Sequence, residues 1–288
     1  MTESRELDKR SIAQAFERAA QSYDAHDVLQ REVASRLLER LDYTTVKPTR
    51  VLDLGAGTGR CARALAARYR KATVVQCDLA AAMLRTSRTH ERRWFSRQQF
   101  VCADAERLPF ATDSFDLIVS SLSLQWCEDL PAVFEGARRC LTEGGLFLFS
   151  TLGPDTLQEL RAANAAVDGA PRVNRFIDMH IIGDVLGVAG FADPVMEAEH
   201  ITMEYDDVMT LLRDLKGIGA TNAQATRERG MLARGRLAAL IAAYERFRLD
   251  GVLPATYEVV YGHAWAVAPR RPKGPTEQVF PLRELRRR

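Results

Sequence analysis

The stretch Val51 to Arg60 reads VLDLGAGTGR. Val51, Leu52 and Leu54 form a short apolar run, as expected of a strand buried on both faces of a parallel sheet. Glycines follow at alternate positions, Gly55, Gly57 and Gly59. Arg60 to Arg70 then carries Ala62, Leu65, Ala66 and Tyr69 at helical spacing. Strand, glycine turn and helix make a nucleotide-binding βα unit, because glycine turns sharply and lets a ligand approach the main chain. The dinucleotide fingerprint fits poorly. Its third glycine falls on Arg60 when counted from Gly55, and on Ala62 when counted from Gly57, which leaves Asp53 and Gly55 unexplained. The Walker ending Gly-Lys-Ser/Thr is absent.

Further units follow at βα spacing. VVQCDLAAAML (Val74 to Leu84) reads as a strand ending at Asp78, then a helix from Ala80. Asp78 stands 19 residues after Gly59, close to the roughly 20 expected of an acid that hydrogen-bonds ribose hydroxyls. CADAERLPF (Cys102 to Phe110) comes next, then SFDLIVSSLSLQW (Ser114 to Trp126) with a strand over Phe115 to Val119. A helix from Leu130 to Leu141 leads into GGLFLFST (Gly144 to Thr151). Five such units in order predict a doubly wound α/β sheet whose ligand sits at the carboxyl ends of the strands.

Asp53 to Gly59, D-x-G-x-G-x-G, resembles motif I of the class I S-adenosylmethionine (SAM) methyltransferases. The resemblance implies a SAM cofactor and no metal. It gives Asp53 the methionine ammonium, Asp78 with Leu79 beside it the ribose, and Asp104 the adenine amino group. Ala105 would lie near the ring, and Ser120 to Leu122 would close over the cofactor. Gly55, Gly57 and Gly59 would form its bed. The implied fold is Rossmann-like, α/β, a seven-stranded and mostly parallel sheet. A helical cap precedes it, and a helical insertion separates the last two strands.

The bulk numbers agree with an ordinary globular enzyme. The chain has 288 residues, 47% hydrophobic and 27% charged, with net charge +2, so there is no global nucleic-acid signature. No apolar run approaches the roughly 18 residues of a membrane span. MTESRELDKR is charged from its start, unlike a signal peptide, and a cytoplasmic location is expected. Cysteines 61, 77, 102, 127 and 140 form no CxxC pair and are read as buried apolar thiols in a reducing compartment. Basic charge gathers at Arg85 to Arg97, with five arginines, and in the tail from Arg270, which ends RELRRR. Such a cluster is a solvated surface or a landing patch for an acidic partner; RNA is a third reading, against which stands the lack of aromatics interleaved with the arginines.

The expected organisation is a helical cap over 1–45, a cofactor-binding core over 46–206, a helical lid over 207–250, a last core strand over 251–268 and a basic, disordered tail over 269–288. Within these limits Leu157 to Val167 and Asp178 to Ala189 read as helices. Met196 to Tyr205 and Thr256 to Val267 alternate as strands.

Outside the core the resemblance narrows. FERAAQSYDAHDVLQ (Phe16 to Gln30), SLSLQWCEDL (Ser121 to Leu130), STLGPDTLQELRAA (Ser150 to Ala163), VNRF (Val173 to Phe176), LKGIGATN (Leu215 to Asn222) and TYEVVYGHAWA (Thr256 to Ala266) are similar to the malonyl-acyl carrier protein O-methyltransferases of biotin synthesis. The similarity covers about residues 10 to 268. It implies methyl esterification of the free carboxylate of a malonyl group carried on an acyl carrier protein, or of malonyl-CoA. It implies no nucleic-acid or membrane partner. Arg175 is the expected clamp for the carboxylate, since a guanidinium meets a carboxylate with two parallel hydrogen bonds. Tyr23 is the expected donor from the cap, and Gln125 and Trp126 are expected to line the acceptor pocket. KGIG (Lys216 to Gly219) is read as a lid hinge or a pocket wall. SLSLQW, GPDTLQELR and the NAQATR stretch also resemble a group of respiratory complex I assembly factors associated with arginine hydroxylation. KGIGATN and the VNRF arginine stand against that. The same glycine loop and strand-end acids would also serve a small-molecule carboxyl methyltransferase, or a SAM-binding scaffold without catalysis.

Overall fold

A computed structural model describes residues 7–90, 97–169, 173–220 and 234–267. Three helices come first: Lys9–Ala19 (α1), Tyr23–His26 (α2) and Val28–Glu39 (α3). The sheet then begins with Arg50–Leu54 (β1), followed by Arg60–Arg68 (α4), Thr73–Asp78 (β2), Ala81–Thr89 (α5) and Gln98–Cys102 (β3). Phe115–Ser121 (β4), Leu130–Cys140 (α6), Leu141–Leu152 (β5), Gln158–Val167 (α7) and Met179–Val188 (α8) continue it. Ala192–Tyr205 (β6), Val208–Gly217 (α9), Arg234–Tyr244 (α10) and Leu253–Ala266 (β7) complete it.

The seven strands form one sheet in the order β3-β2-β1-β4-β5-β7-β6. Pairings from β3 through β5 are parallel, while β7 lies antiparallel to both β5 and β6. Successive residues of each inner strand enter opposite cores. Val51, Val74, Leu117 and Leu146 pack in one cluster with α3, α4 and α7. Leu52, Val75, Ile118 and Phe147 pack in the other with α6 and α8. Both faces are therefore covered, which is why these strands read as continuous apolar runs rather than as alternations. The order reverses between β1 and β4, and at such a switch point the carboxyl ends of neighbouring strands leave a crevice.

Local chemistry sets the helix starts. The Asp8, Asp129 and Asp207 side chains accept from Ser11 N, Ala132 N and Thr210 N at the starts of α1, α6 and α9, satisfying amides with no partner inside the helix. Several boundaries differ from expectation. β7 starts at Leu253 rather than Thr256, and β6 starts at Ala192 rather than Met196. α6 stops at Cys140, because Leu141 already pairs with Phe115. Cys102 is exposed, against the expectation for all five cysteines, because it closes the edge strand β3; Cys61, Cys77, Cys127 and Cys140 are buried. The basic tail, Arg92 and Arg93, and the NAQATR stretch lie outside the described residues. Among the described residues no helix is long and apolar enough to cross a membrane.

Candidate active site

The carboxyl ends of β1, β2, β4 and β5 and the loop after β3 open into one cleft. Its other walls come from α1 (Lys9, Ile12, Phe16), α2 (Tyr23), α3 (Leu29, Gln30), Leu160 of α7 with Leu157 just before it, the 173–176 segment, and Leu215 of α9 with Ile218 and Ala220 just after it. Including its open mouth, it holds about 1380 Å³ of empty space.

The glycine loop lies over β2, with Gly55 N and Ala56 N both donating to Cys77 O, at 2.8 and 3.0 Å. Gly55, Gly57 and Gly59 all have positive φ, yet they do different things. A Cβ on Gly55 would run into the Ser123 side chain, and one on Gly59 into the Ser87 hydroxyl. A Cβ on Gly57 would meet nothing within 4 Å. Gly55 and Gly59 are thus demanded by packing, while Gly57 borders open cleft where a ligand can approach the main chain.

Two carboxylates sit at the strand ends. Asp78 accepts from Ala80 N and Gly57 N, each at 2.8 Å. Burial raises its pKa, and those N–H groups oppose the rise. Asp104 accepts from Glu106 N at 3.0 Å and from Lys9 Nζ at 2.6 Å. Lys9 Nζ also reaches Glu106 Oε2 at 2.5 Å. Burial works against the lysine's charge, but hydrogen bonds to Asp104 and Glu106 outweigh it and hold its pKa above the ordinary value. Apart from Lys9, Asp78 and Asp104, no charged side chain among the described residues lines the cleft. The remaining wall is apolar or neutral.

Tyr23 lines the cleft, and burial raises its phenol pKa, helped by Asp27, Asp78 and Asp24. It keeps its proton and can only donate or accept as a neutral hydroxyl. The cap is tied to the glycine loop by an ion pair between Arg60 and the buried Asp27, and by Thr58 Oγ1 donating to Asp24 at 2.6 Å.

The sequence-predicted residues divide. Tyr23, Gly55, Gly57, Asp78, Leu79, Asp104, Ala105, Leu122, Gln125 and Trp126 all line the cleft. Asp53, Gly59, Ser120 and Arg175 are not in its wall. The Asp53 carboxylate, 1% exposed, accepts from Ala62 N at 2.8 Å and so caps the start of α4. Burial pushes its pKa up to about 7, the Ala62 N–H opposing. Ser120 is fully buried with its hydroxyl 2.8 Å from that of Ser123. Arg175 is exposed, while Val173, Asn174 and Phe176 around it line the cleft. Gln125 spends both ends inside the protein, Nε2 on Leu122 O at 2.7 Å and Oε1 on Thr151 Oγ1 at 3.3 Å. It stiffens the wall. Trp126 meets Phe16 of α1 edge-on, ring centres 5.3 Å apart.

Residues unforeseen from the sequence include Lys9, Gln30, Asn174 and Leu157. Leu122 and Leu157 carry positive φ, 47° and 55°, a strain that concentrates where a site over-determines its backbone. No spacing rule points to Lys9. Away from the cleft, Asp155, His200 and Glu258 bring ligand atoms within 4.8 Å of one another. His200 already faces Asp155 at 3.3 Å and Glu258 accepts from Asp155 N at 2.8 Å, a mutually satisfied surface network.

A family model described as a methyltransferase domain matches residues 52–149, the span from β1 through β5 that carries the glycine loop and both strand-end acids. A malonyl-[acyl-carrier protein] O-methyltransferase of Gallionella capsiferriformans is 52% identical over 269 residues, covering 92% of this chain and 93% of that one. The chain belongs to the malonyl-[acyl-carrier protein] O-methyltransferase family. A family member from Laribacter hongkongensis is also 52% identical, over 94% of each chain. Solved structures with less sequence in common share the fold: a putative methyltransferase of Bacillus halodurans, 18% identical with a TM-score of 0.57, covers 82% of this chain and 99% of its own. The Haemonchus contortus phosphoethanolamine N-methyltransferase 2, in complex with SAM, is 19% identical with a TM-score of 0.56 and covers 88% of this chain and 57% of its own. Within the family the cleft fits an adenosine-bearing cofactor: an open glycine, an acid at the end of β2, and a second acid with Ala105 after β3.

Proposed function

We propose that this chain methylates the free carboxylate of malonyl-acyl carrier protein with SAM as methyl donor, opening the pimeloyl branch of biotin synthesis. The observation that carries this reading is family membership over nearly the whole length of the chain. The cleft agrees with it. Its charged wall residues gather at the strand ends where the cofactor belongs, and among the described residues the rest of the wall carries no charged base. A carboxylate acceptor needs none, since it is ionised at neutral pH.

SAM, when bound, supplies an electrophilic methyl group on a sulfonium. Asp78 would hold the ribose, Asp104 the adenine amino group, and Gly57 the close approach of the main chain. The neutral wall built by Tyr23, Leu157, Leu160, Val173 and Tyr257 excludes water from the opposing charges, which favours their mutual neutralisation. Tyr23 keeps its proton and donates it as a hydrogen bond to the carboxylate, holding one oxygen aside and the other in line. Such positioning is worth up to roughly 7–11 kcal/mol of barrier. Arg175, exposed beside two lining residues, is assigned to the mouth, where it gathers the carboxylate before it enters. The methyl ester formed removes a charge that would be costly to bury in the apolar tunnels of chain-elongating enzymes.

The test is transfer of labelled methyl from SAM to malonyl-acyl carrier protein, with malonyl-CoA and unacylated carrier alongside. Base-labile label on the malonyl carrier is expected. Label on none of the three, with SAM still bound, overturns the reading.

A further inference from the structure

We propose that Lys9 is a positioning residue that aims Asp104 at the amino group of adenine, so that the site selects a 6-amino purine over a 6-oxo purine. This rests on the SAM reading above.

Lys9 stands at the start of α1, 95 positions before Asp104 in the chain, yet its ammonium fills the gap between two carboxylates. One end of this arrangement is rigid. Glu106 Oε1 accepts from the N–H groups of Glu128 and Asp129, at 2.7 and 3.2 Å, where α6 begins. Its other oxygen accepts from Lys9 at 2.5 Å. Lys9 in turn fixes Asp104 Oδ2 at 2.6 Å, while Glu106 N fixes Oδ1 at 3.0 Å. Orientation thus passes from the α6 backbone through Glu106 and Lys9 to Asp104.

An Asp104 pinned at both oxygens has no rotamer freedom left to lose, and each oxygen keeps a lone pair for one more donor. The group of Lys9, Asp104 and Glu106 carries a net charge of one negative unit. It therefore attracts an exocyclic N–H₂ and repels a carbonyl oxygen. Without the ammonium, two carboxylates would face each other across the gap, and Asp104 would turn away from its neighbour. The remaining contacts of α1 do not share this task. Phe16 meets Trp126, and Glu17 Oε1 accepts from Ala82 N at 3.0 Å, so the helix stays attached when Lys9 is changed.

The experiment is calorimetric titration of the full chain with S-adenosylhomocysteine and with S-inosylhomocysteine, for wild type, Lys9→Met and Lys9→Arg. Wild type is expected to prefer the adenosine compound. Lys9→Met is expected to lose about tenfold or more of affinity for it, the size of one charge-assisted hydrogen bond, while affinity for the inosine compound holds. Lys9→Arg is expected to restore most of the preference. Equal weakening of both ligands by Lys9→Met would make Lys9 a mere strut of the cap and overturn the proposal, as would no change in either. A wild-type chain that binds neither overturns the cofactor reading first, and this inference with it.

Discussion

Gly55 and Gly57 look alike in the sequence, and they separate stability from binding. Both have positive φ, where a Cβ costs about 1–2 kcal/mol. Gly55→Ala adds a collision with Ser123 and should lower the melting temperature well beyond that backbone cost. Gly57→Ala meets open space and should melt within a few degrees of wild type but lose S-adenosylhomocysteine in a titration. Equal melting losses would refute the division. Asp53 offers a second test. Its folded pKa near 7 stands above the ordinary 3.8, so between those values the folded chain holds a proton that the unfolded chain has lost. That contribution is complete below about pH 4 and disappears as pH climbs to about 7, at most about 4 kcal/mol in all. Asp53→Asn keeps an acceptor for Ala62 N and should flatten the fall in thermal stability between pH 4 and 7. A slope that survives would belong to Asp78, which shifts in the same direction. For Arg175, replacement by Ala should raise KM for the malonyl carrier about tenfold, the worth of one partly exposed charge contact, with cofactor affinity unchanged; unaltered KM removes it from the path of the substrate. The glycine spacing and the strand-end acids were legible because turn geometry fixes them locally. The duty of Asp53 was not, since an acid before a helix can face a ligand or cap that helix. Arg175 and Asn174 are adjacent, and only the path of the backbone says which one faces inward.

Secondary-structure elements meet over the cleft through contacts far apart in sequence. α2 and α9 interlock there. His26 Nδ1 lies 2.8 Å from Asp214 Oδ1, and Ser22 Oγ donates to Gly217 O at 3.2 Å. A Cβ on Gly217 would strike the His26 ring. KGIG, read as a hinge or pocket wall, is a wall at Ile218 and a contact surface at Gly217. Gly217→Val should therefore wedge the cap from α9 and raise KM for both cofactor and acceptor. Most of the melting temperature should remain, because neither element belongs to the central sheet. A KM unchanged for either ligand would show that the cleft closes without this contact. Inner strands and their helices were readable from apolar runs and periodicity. The starts of β6 and β7 were not, because each first stretch contains a proline, Pro194 and Pro254, a residue that argues against a strand when only the sequence is read. The cap helices announced themselves by their apolar stripe, but nothing in a stripe says which strand end it will cover.

At the scale of the whole molecule, the cleft is walled by parts that lie far apart in the chain. The strand order reverses between β1 and β4, which opens a crevice in the sheet. The cap then supplies Lys9, Ile12, Phe16, Tyr23, Leu29 and Gln30 to the same cavity that the strand ends line. A ligand seated there touches core and cap together, so its binding energy must stabilise both. With S-adenosylhomocysteine at 100 times its Kd, binding adds about 2.7 kcal/mol to the stability of the state that holds it. For a chain of this size that is a rise of several degrees in melting temperature, at roughly 2–4 °C per kcal/mol. The distribution of that gain is the sharper readout. Amide hydrogen exchange should slow in the glycine loop after β1, and also along α1 and α2, although these helices are separated from that loop by more than twenty residues of chain. Slowing confined to the loop would mean that the cofactor binds to the sheet alone and that the cap closes in response to the acceptor. Slowing in both would mean that the cap is already part of the cofactor site, and that the acceptor must then enter past α9 and the 173–176 segment, where Arg175 stands exposed beside the lining residues Asn174 and Phe176.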